Sequence, residues 1–289
     1  MILVAGATGI TGSMIVHKLL ARGERVRALV REGSDYSALE EAGAEVAIGD
    51  LKHALSVRQA MEGVDRVVST ATASSRGGED TIEAVDRIGT ASLIEAAREA
   101  QVRRFVYISA WGFDKEMPVA IARAKAENEV RLAESGIPYT ILRPCLFMDV
   151  WIGWVIGSQL MNDSKVRIVG NKETKFGFVA AENVAHLAVA ALGEPRAENA
   201  TITLCADVAT FRDVVKRIGK ITGRSIEVEA VAPDALEGLP PIVGQLWSRM
   251  GEKGAPEPTE EVHKAFGIRP IMIDDFLARA FGGAQAAER

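Results

Sequence analysis

Six short apolar runs alternate with longer helical patterns through the first half of the chain, at residues 2–5, 25–30, 44–48, 66–70, 104–109 and 139–142. They are rich in Val, Ile and Leu and barely alternate, the pattern of strands buried on both faces of a parallel sheet. Between the first two, residues 10–22 set Ile15, Val16, Leu19 and Leu20 on one side, and Gly23 follows as a helix C-terminus favours. Residues 79–100 and 116–135 predict two longer helices with charges on the remaining face, the second ended by Gly136. Strand and helix in this succession predict a doubly wound parallel α/β sheet with right-handed crossovers.

The second half is less regular. Residues 145–161 form the longest apolar stretch, interrupted by Asp149, Gly153 and Gly157. It is shorter than the about 20 residues of a bilayer span, so a buried or lid-forming helix is expected and a membrane span is not. Strands are expected at 166–169, 201–204 and 226–231, and helices at 180–193 and 210–222. Residues 233–241 and 254–258 carry prolines, which predicts short helices on connectors toward the end.

Composition narrows the classes. The chain has 289 residues, 48% hydrophobic and 25% charged, too apolar for disorder. Its 34 basic and 39 acidic residues leave a net charge of −5, and the basic ones are spread along the chain, so no nucleic-acid surface is expected. Cys145 and Cys205 cannot build a disulfide framework, and the four histidines are isolated, so no metal site is expected. Met1 to Ala5 run straight into a glycine motif without a basic segment or cleavage site, which reads as cytoplasmic.

That motif, Gly6-Ala7-Thr8-Gly9-Ile10-Thr11-Gly12, follows the first strand and opens the first helix. The turn needs a residue without Cβ, phosphates need close backbone approach and free N–H groups at a helix N-terminus, and the third glycine lets helix and strand pack closely. This is a dinucleotide-binding loop of the Rossmann type. The second strand ends in Arg31, whose guanidinium suits a ribose 2′-phosphate, so NADP(H) is preferred over NAD(H). Glu32 follows and leaves pairing with a ribose hydroxyl open. Asp50 and Leu51, after the third strand, can meet the adenine, although Asp50 can equally cap a helix over 53–62. The loop from Ala71 and Thr72 to Ser75 is small and hydroxyl-rich, suited to a pyrophosphate and ribose.

GATGITG, LVRE, the GDL after the third strand, FVYISAWG, ARAKAENEVRLAESGIPYTILRP and FVAAENVAHLAVAAL together resemble the atypical short-chain dehydrogenases/reductases, in particular the NmrA-like group. The resemblance covers residues 1–195 well and the remainder loosely. It implies a Rossmann domain over 1–143 and a smaller substrate-side lobe over 144–289, interleaved through 178–193. It also implies either a reductase or a cofactor-binding regulator without turnover.

Reductases of this kind use Tyr-x-x-x-Lys. Lys125 matches the lysine, but Ile121 stands four residues before it, and no YxxxK exists in the chain. The usual serine position matches Trp111 better than Ser109. Ser109 and Lys125 are still expected to hold the nicotinamide ribose, and Lys125 to donate or accept a proton. As a plain alternative, Lys125 is a surface residue pairing with Glu129. Trp111, Leu146, Phe147, Met148 and Trp151 are expected to line an apolar acceptor pocket, with core packing as their alternative. Two functions follow: an NADP(H)-dependent oxidoreductase acting on an apolar quinone, enone or carbonyl, or an NADP(H)-sensing regulator or assembly factor that binds a protein partner.

Overall fold

The computed structural model describes residues 1–74, 76–162 and 164–282. Strand β1 (Ile2–Ala5) leads into α1 (Ile10–Leu20), followed by β2 (Val26–Val30), a short α2 (Ser37–Glu41), β3 (Glu45–Ile48), α3 (Ala54–Ala60) and β4 (Arg66–Ser69). A π-helical segment, Ile82–Gly89, runs into α4 (Thr90–Glu99), and β5 (Arg104–Ile108), α5 (Ala120–Glu134) and β6 (Tyr139–Pro144) complete the alternation. Then come β7 (Leu146–Phe147), a second π-helical segment, Asp149–Ile156, and α6 (Gly157–Asn162). They are followed by β8 (Lys165–Val169), β9 (Lys175–Val179), α7 (Ala181–Ala191) and β10 (Ala200–Leu204). The chain continues with β11 (Asp207–Thr210), α8 (Phe211–Thr222), β12 (Glu227–Val231), α9 (Pro241–Lys253), α10 (Glu260–Ala265) and α11 (Ile273–Phe281).

The chain divides into two compact units. One holds Met1–Arg143 with Val184–Ile202, and the other Pro144–Asn183 with the described part of Thr203–Arg289. The central sheet has seven strands in the order β10-β6-β5-β4-β1-β2-β3. β1 pairs in parallel with β2 and β4, β2 with β3, and β5 with β4 and β6. The expected doubly wound α/β fold is what forms. All four residues of β1 and all five of β5 are buried, which is why their sequences do not alternate. Leu3, Leu29, Phe105, Tyr107, Leu132 and Ile141 belong to one core cluster of this unit. Helix α1 buries Gly12, Ile15, Val16 and Leu19, while Leu20 is half-buried.

In the second unit β9 pairs antiparallel with β11 and parallel with β7, and β12 pairs in parallel with β8. Phe211 anchors its core, with ring centroids at 4.2 Å from Trp247, 5.0 Å from Phe176 and 5.3 Å from Phe178. The apolar stretch 145–161 is not one helix. It begins with Cys145 and the short strand β7, paired in parallel with β9, before any helical backbone starts. No helix among the described residues is long and apolar enough to cross a membrane. Strand β9 escapes the sequence pattern because Gly177 interrupts it. A Cβ at Gly177 would lie 2.9 Å from both the Cys145 and Cys205 sulfurs, so the glycine makes room for them. The expected connectors after residue 233 contain one substantial helix, α9, which begins on Pro241.

Candidate functional site

The three motif glycines do three different things. Gly6 turns the chain at φ +82°, and a Cβ there would stand 2.7 Å from Thr70 Oγ1 and 2.8 Å from the Ala71 nitrogen. At Gly12 a Cβ would stand 2.0 Å from the Gly6 carbonyl oxygen, so α1 can lie this close to β1 only without a side chain. At Gly9 a Cβ would meet only the Gly6 oxygen, at 3.4 Å. The fold does not need Gly9; the space beside it does. Gly9 is also the N-cap of α1, makes no side-chain cap, and is followed by a first turn without an acidic residue. The opening N–H groups and the positive end of the helix dipole are therefore left for an external anion. Ala7 is fully buried, Thr8 and Ile10 are exposed, and Thr11 is half-buried.

Gly6 and Thr8 line one cleft with Arg31, Asp50, Leu51 and Ala71, so the structure gathers six of the residues expected to hold a dinucleotide. Arg76 and Val85 line it too, which the sequence does not signal. The Arg31 guanidinium pairs with the Asp80 carboxylate. Asp50 is not a helix cap: α3 follows His53 without any side-chain cap, and Asp50 Oδ1 accepts the Lys52 N–H at 2.9 Å. The hydrogen bond from the Lys52 ammonium holds the Asp80 carboxyl below its usual range, with Arg31 acting in the same sense.

The loop after β4 is tied down at several points. Thr70 Oγ1 donates to the Gly6 carbonyl at 3.3 Å, Thr72 Oγ1 accepts the Ser74 N–H at 3.2 Å, and Asp86 Oδ2 accepts the Ala73 N–H at 2.8 Å. Ser75 lies outside the described residues. Asp86 sits in the first π-helical segment with 1% exposure, and burial pushes its carboxyl above the usual range. Asn128 of α5 donates to the Asp86 carbonyl at 2.6 Å.

Lys125 is buried, not a surface residue. Its Nζ donates to the Ile108 carbonyl at 2.9 Å and lies 5.2 Å from the centre of the Tyr107 ring. Burial lowers its pKa, while the negative charges of Asp86 and Glu129 oppose the shift. The side-chain pair expected with Glu129 is not made, because Glu129 accepts from Arg143 Nε at 3.1 Å instead. Tyr107 is itself buried, and burial raises its pKa, so it stays protonated. Ser109 is 3% exposed and its hydroxyl has no hydrogen-bond partner among the described residues. A buried hydroxyl left open at the end of β5 fits a ligand hydroxyl better than an apolar core.

Of the residues expected around an acceptor, Trp111 is half-buried in the first unit. In the second unit Leu146 and Met148 are buried and Phe147 is half-buried. Trp151 packs at 5.5 Å from Trp247 and 6.1 Å from Phe211, as part of the aromatic core. Lys52, Asp80, Asp86 and Asn128 were not read from the sequence. Of these, Asn128 leaves a trace there, as a polar position on the buried face of α5.

Residues 6–195 match the NAD(P)H-binding family. Sterol demethylase protein B of Methylococcus capsulatus is 30% identical over 278 residues, covering 88% of this chain and 84% of that protein. Photosystem II assembly factor Ycf39 of Trieres chinensis is 28% identical over 244 residues, covering 84% and 76%. An NAD(P)H azoreductase of Xenophilus azovorans is 29% identical over 245 residues, covering 83% and 81%. The fold is that of the NADPH-dependent quinone oxidoreductase of Escherichia coli solved with NADPH: TM-score 0.80 at 20% identity, over 97% of this chain and all of that one.

Proposed function

The chain belongs to the NAD(P)H-binding family, and from that premise we propose that it is an NADPH-dependent reductase of the atypical short-chain type, acting on an apolar conjugated acceptor such as a quinone. The observation that carries this reading is the open space at Gly9 in front of an uncapped helix end, with Arg31 lining the same cleft.

NADPH, when bound, supplies the hydride. The N–H groups opening α1 would hold its pyrophosphate, and Gly9 leaves room for the phosphate oxygens. Asp50 and Leu51 would flank the adenine, and the Ala71–Thr72 backbone would line the path toward the ribose. The Ser109 hydroxyl and Lys125 would face the nicotinamide ribose. An ammonium has three N–H donors, and Ile108 takes one of those on Lys125. The others can hold a ribose hydroxyl and hand a proton to the reduced acceptor. A quinone suits a site without the usual tyrosine, because its reduced oxygens can also take protons from water. The azoreductase and quinone oxidoreductase among the similar proteins support an electron-poor conjugated acceptor.

The preference for NADPH rests on Arg31. NADPH is expected to bind at least about tenfold more tightly than NADH, or about 1.4 kcal/mol. Arg31→Ala should remove most of that difference in titration calorimetry, and equal affinities in the wild type would refute the assignment. The function itself is tested by following NADPH oxidation with a panel of quinones and azo dyes. Turnover on none of them would favour the second reading, a cofactor-binding assembly factor with a protein partner, which the similarity to Ycf39 supports.

A further inference from the structure

Three cations converge on one carboxylate beside the dinucleotide cleft. Asp80 Oδ2 takes the Arg31 guanidinium, Asp80 Oδ1 accepts from Lys52 Nζ at 2.6 Å, and Arg76 stands 3.6 Å from Oδ2. Lys52 Nζ is also 3.5 Å from Asp50 Oδ2. The Asp80 side chain is 10% exposed, far less than that of Arg31 at 39%. The cluster therefore holds three positive charges against two negative ones, with the shared carboxylate at its centre.

The parts come from different places in the chain. Arg31 is the first residue after β2, and Lys52 follows the Gly49-Asp50-Leu51 turn after β3, so both stand close to the ends of sheet strands. Asp80 comes from the segment between β4 and the first π-helical stretch, which also carries Gly77 and Gly78. A carboxylate gripped by a guanidinium and an ammonium has its oxygens where those of a phosphate could be gripped by the same donors. The anion belongs to a connecting segment, whereas two of its three cations belong to the framework.

We propose that Asp80 is a built-in stand-in for the 2′-phosphate of NADPH: it gathers Arg31, Lys52 and Arg76 in the cofactor-free protein and is displaced by the phosphate. The proposal rests on the reading of Arg31 as the 2′-phosphate residue and extends it in two ways. Lys52 and Arg76 become phosphate ligands beside Arg31. Asp80 becomes a determinant of cofactor choice that works against NADPH, because the phosphate must compete with it while a bare ribose need not. Leaving the carboxylate in place beside a phosphate would set two anions against each other, so displacement is what the charge balance favours.

Titration calorimetry with adenosine 2′,5′-bisphosphate and adenosine 5′-monophosphate tests this, using the wild type, Asp80→Asn and Lys52→Gln. Thermal melts establish that each variant is folded. Asp80→Asn is expected to tighten the bisphosphate by about threefold, the scale of one partly exposed charge pair, with the monophosphate unchanged. Lys52→Gln should weaken the bisphosphate alone by a similar factor. If Asp80→Asn leaves bisphosphate affinity unchanged or weakens it, Asp80 serves only to position the cations, and the proposal fails while the Arg31 reading stands. Equal tightening of both probes would be a general charge effect and would also overturn it. If the wild type does not distinguish the probes, the Arg31 reading fails for the resting protein. The proposal then fails with it, because no 2′-phosphate residue is left for Asp80 to occupy.

Discussion

Gly9→Val should leave the protein folded and reduce NADPH affinity by roughly a hundredfold or more, about 2.7 kcal/mol. A Cβ at this position meets nothing nearer than the Gly6 oxygen at 3.4 Å, so the fold accepts it. Its two methyl groups would occupy the space in front of the helix end where a pyrophosphate has to approach the backbone. Gly12→Ala should behave in the opposite way. Its methyl would sit 2.0 Å from the Gly6 carbonyl, and relieving that contact requires α1 to move away from β1. Such overpacking costs about 1–3 kcal/mol or more, so a melting temperature lowered by several degrees is expected. Calorimetry and thermal melts on the two variants separate the roles. Wild-type NADPH affinity in Gly9→Val would remove the loop from the cofactor site, whatever Gly12→Ala does.

This division of labour is only half visible in the amino-acid sequence. The spacing of the three glycines after β1 announces a close backbone approach, but not which glycine serves the fold and which serves the ligand. The strands of the first half are legible because buried parallel strands are written as unbroken apolar runs, most clearly in β1 and β5; β3, at the sheet edge, is apolar in sequence but exposed at both ends. β10 reads as a strand yet joins the edge of the central sheet beside β6, whereas its position in the sequence points to the second lobe. Pairing across about sixty residues of chain leaves no local mark. β9 and β11 are missed for a simpler reason. Gly177 breaks the first of them, and polar Asp207 and Thr210 bound the two apolar residues of the second.

The site shows the same limit. Arg31, Asp50 and Lys125 can be found from their positions at strand ends and on the helix after β5. Their partners cannot. Asp80 reaches Arg31 across forty-nine positions and Lys52 across twenty-eight, from a loop whose sequence carries no periodicity. Asp86, which anchors the Ala73 N–H, sits in a π-helical segment, where the extra residue per turn shifts side chains off the faces that a 3.6-residue repeat would assign. The pair of Lys125 with Glu129 suits its spacing, and it fails because each residue finds another partner. Glu129 is drawn to Arg143 on β6, and Lys125 turns to the end of β5.

Lys125→Met is expected to lower the single-turnover rate at saturating NADPH at least about tenfold, or about 1.4 kcal/mol of barrier, while weakening NADPH binding only modestly. Lys125 is buried, and burial lowers its pKa, which brings it closer to the range where a general acid works best near neutral pH. Asp86 and Glu129 keep the protonated form from becoming too costly, and the Ile108 carbonyl fixes the position of the nitrogen. Methionine keeps most of the length of the side chain and removes the proton. The pH dependence follows from the same roles. If Lys125 donates the proton, the wild-type rate should fall as pH rises through its pKa, which lies below the ordinary lysine value, and that alkaline limb should vanish in the variant. Stopped-flow measurement of both proteins across pH, with one quinone and one azo acceptor, separates donation from positioning. An unchanged chemical rate with either acceptor would leave Lys125 as a ribose clamp and assign that acceptor's proton to water. A lowered rate that lacks the alkaline limb in the wild type would mean that Lys125 positions the cofactor without titrating in the step.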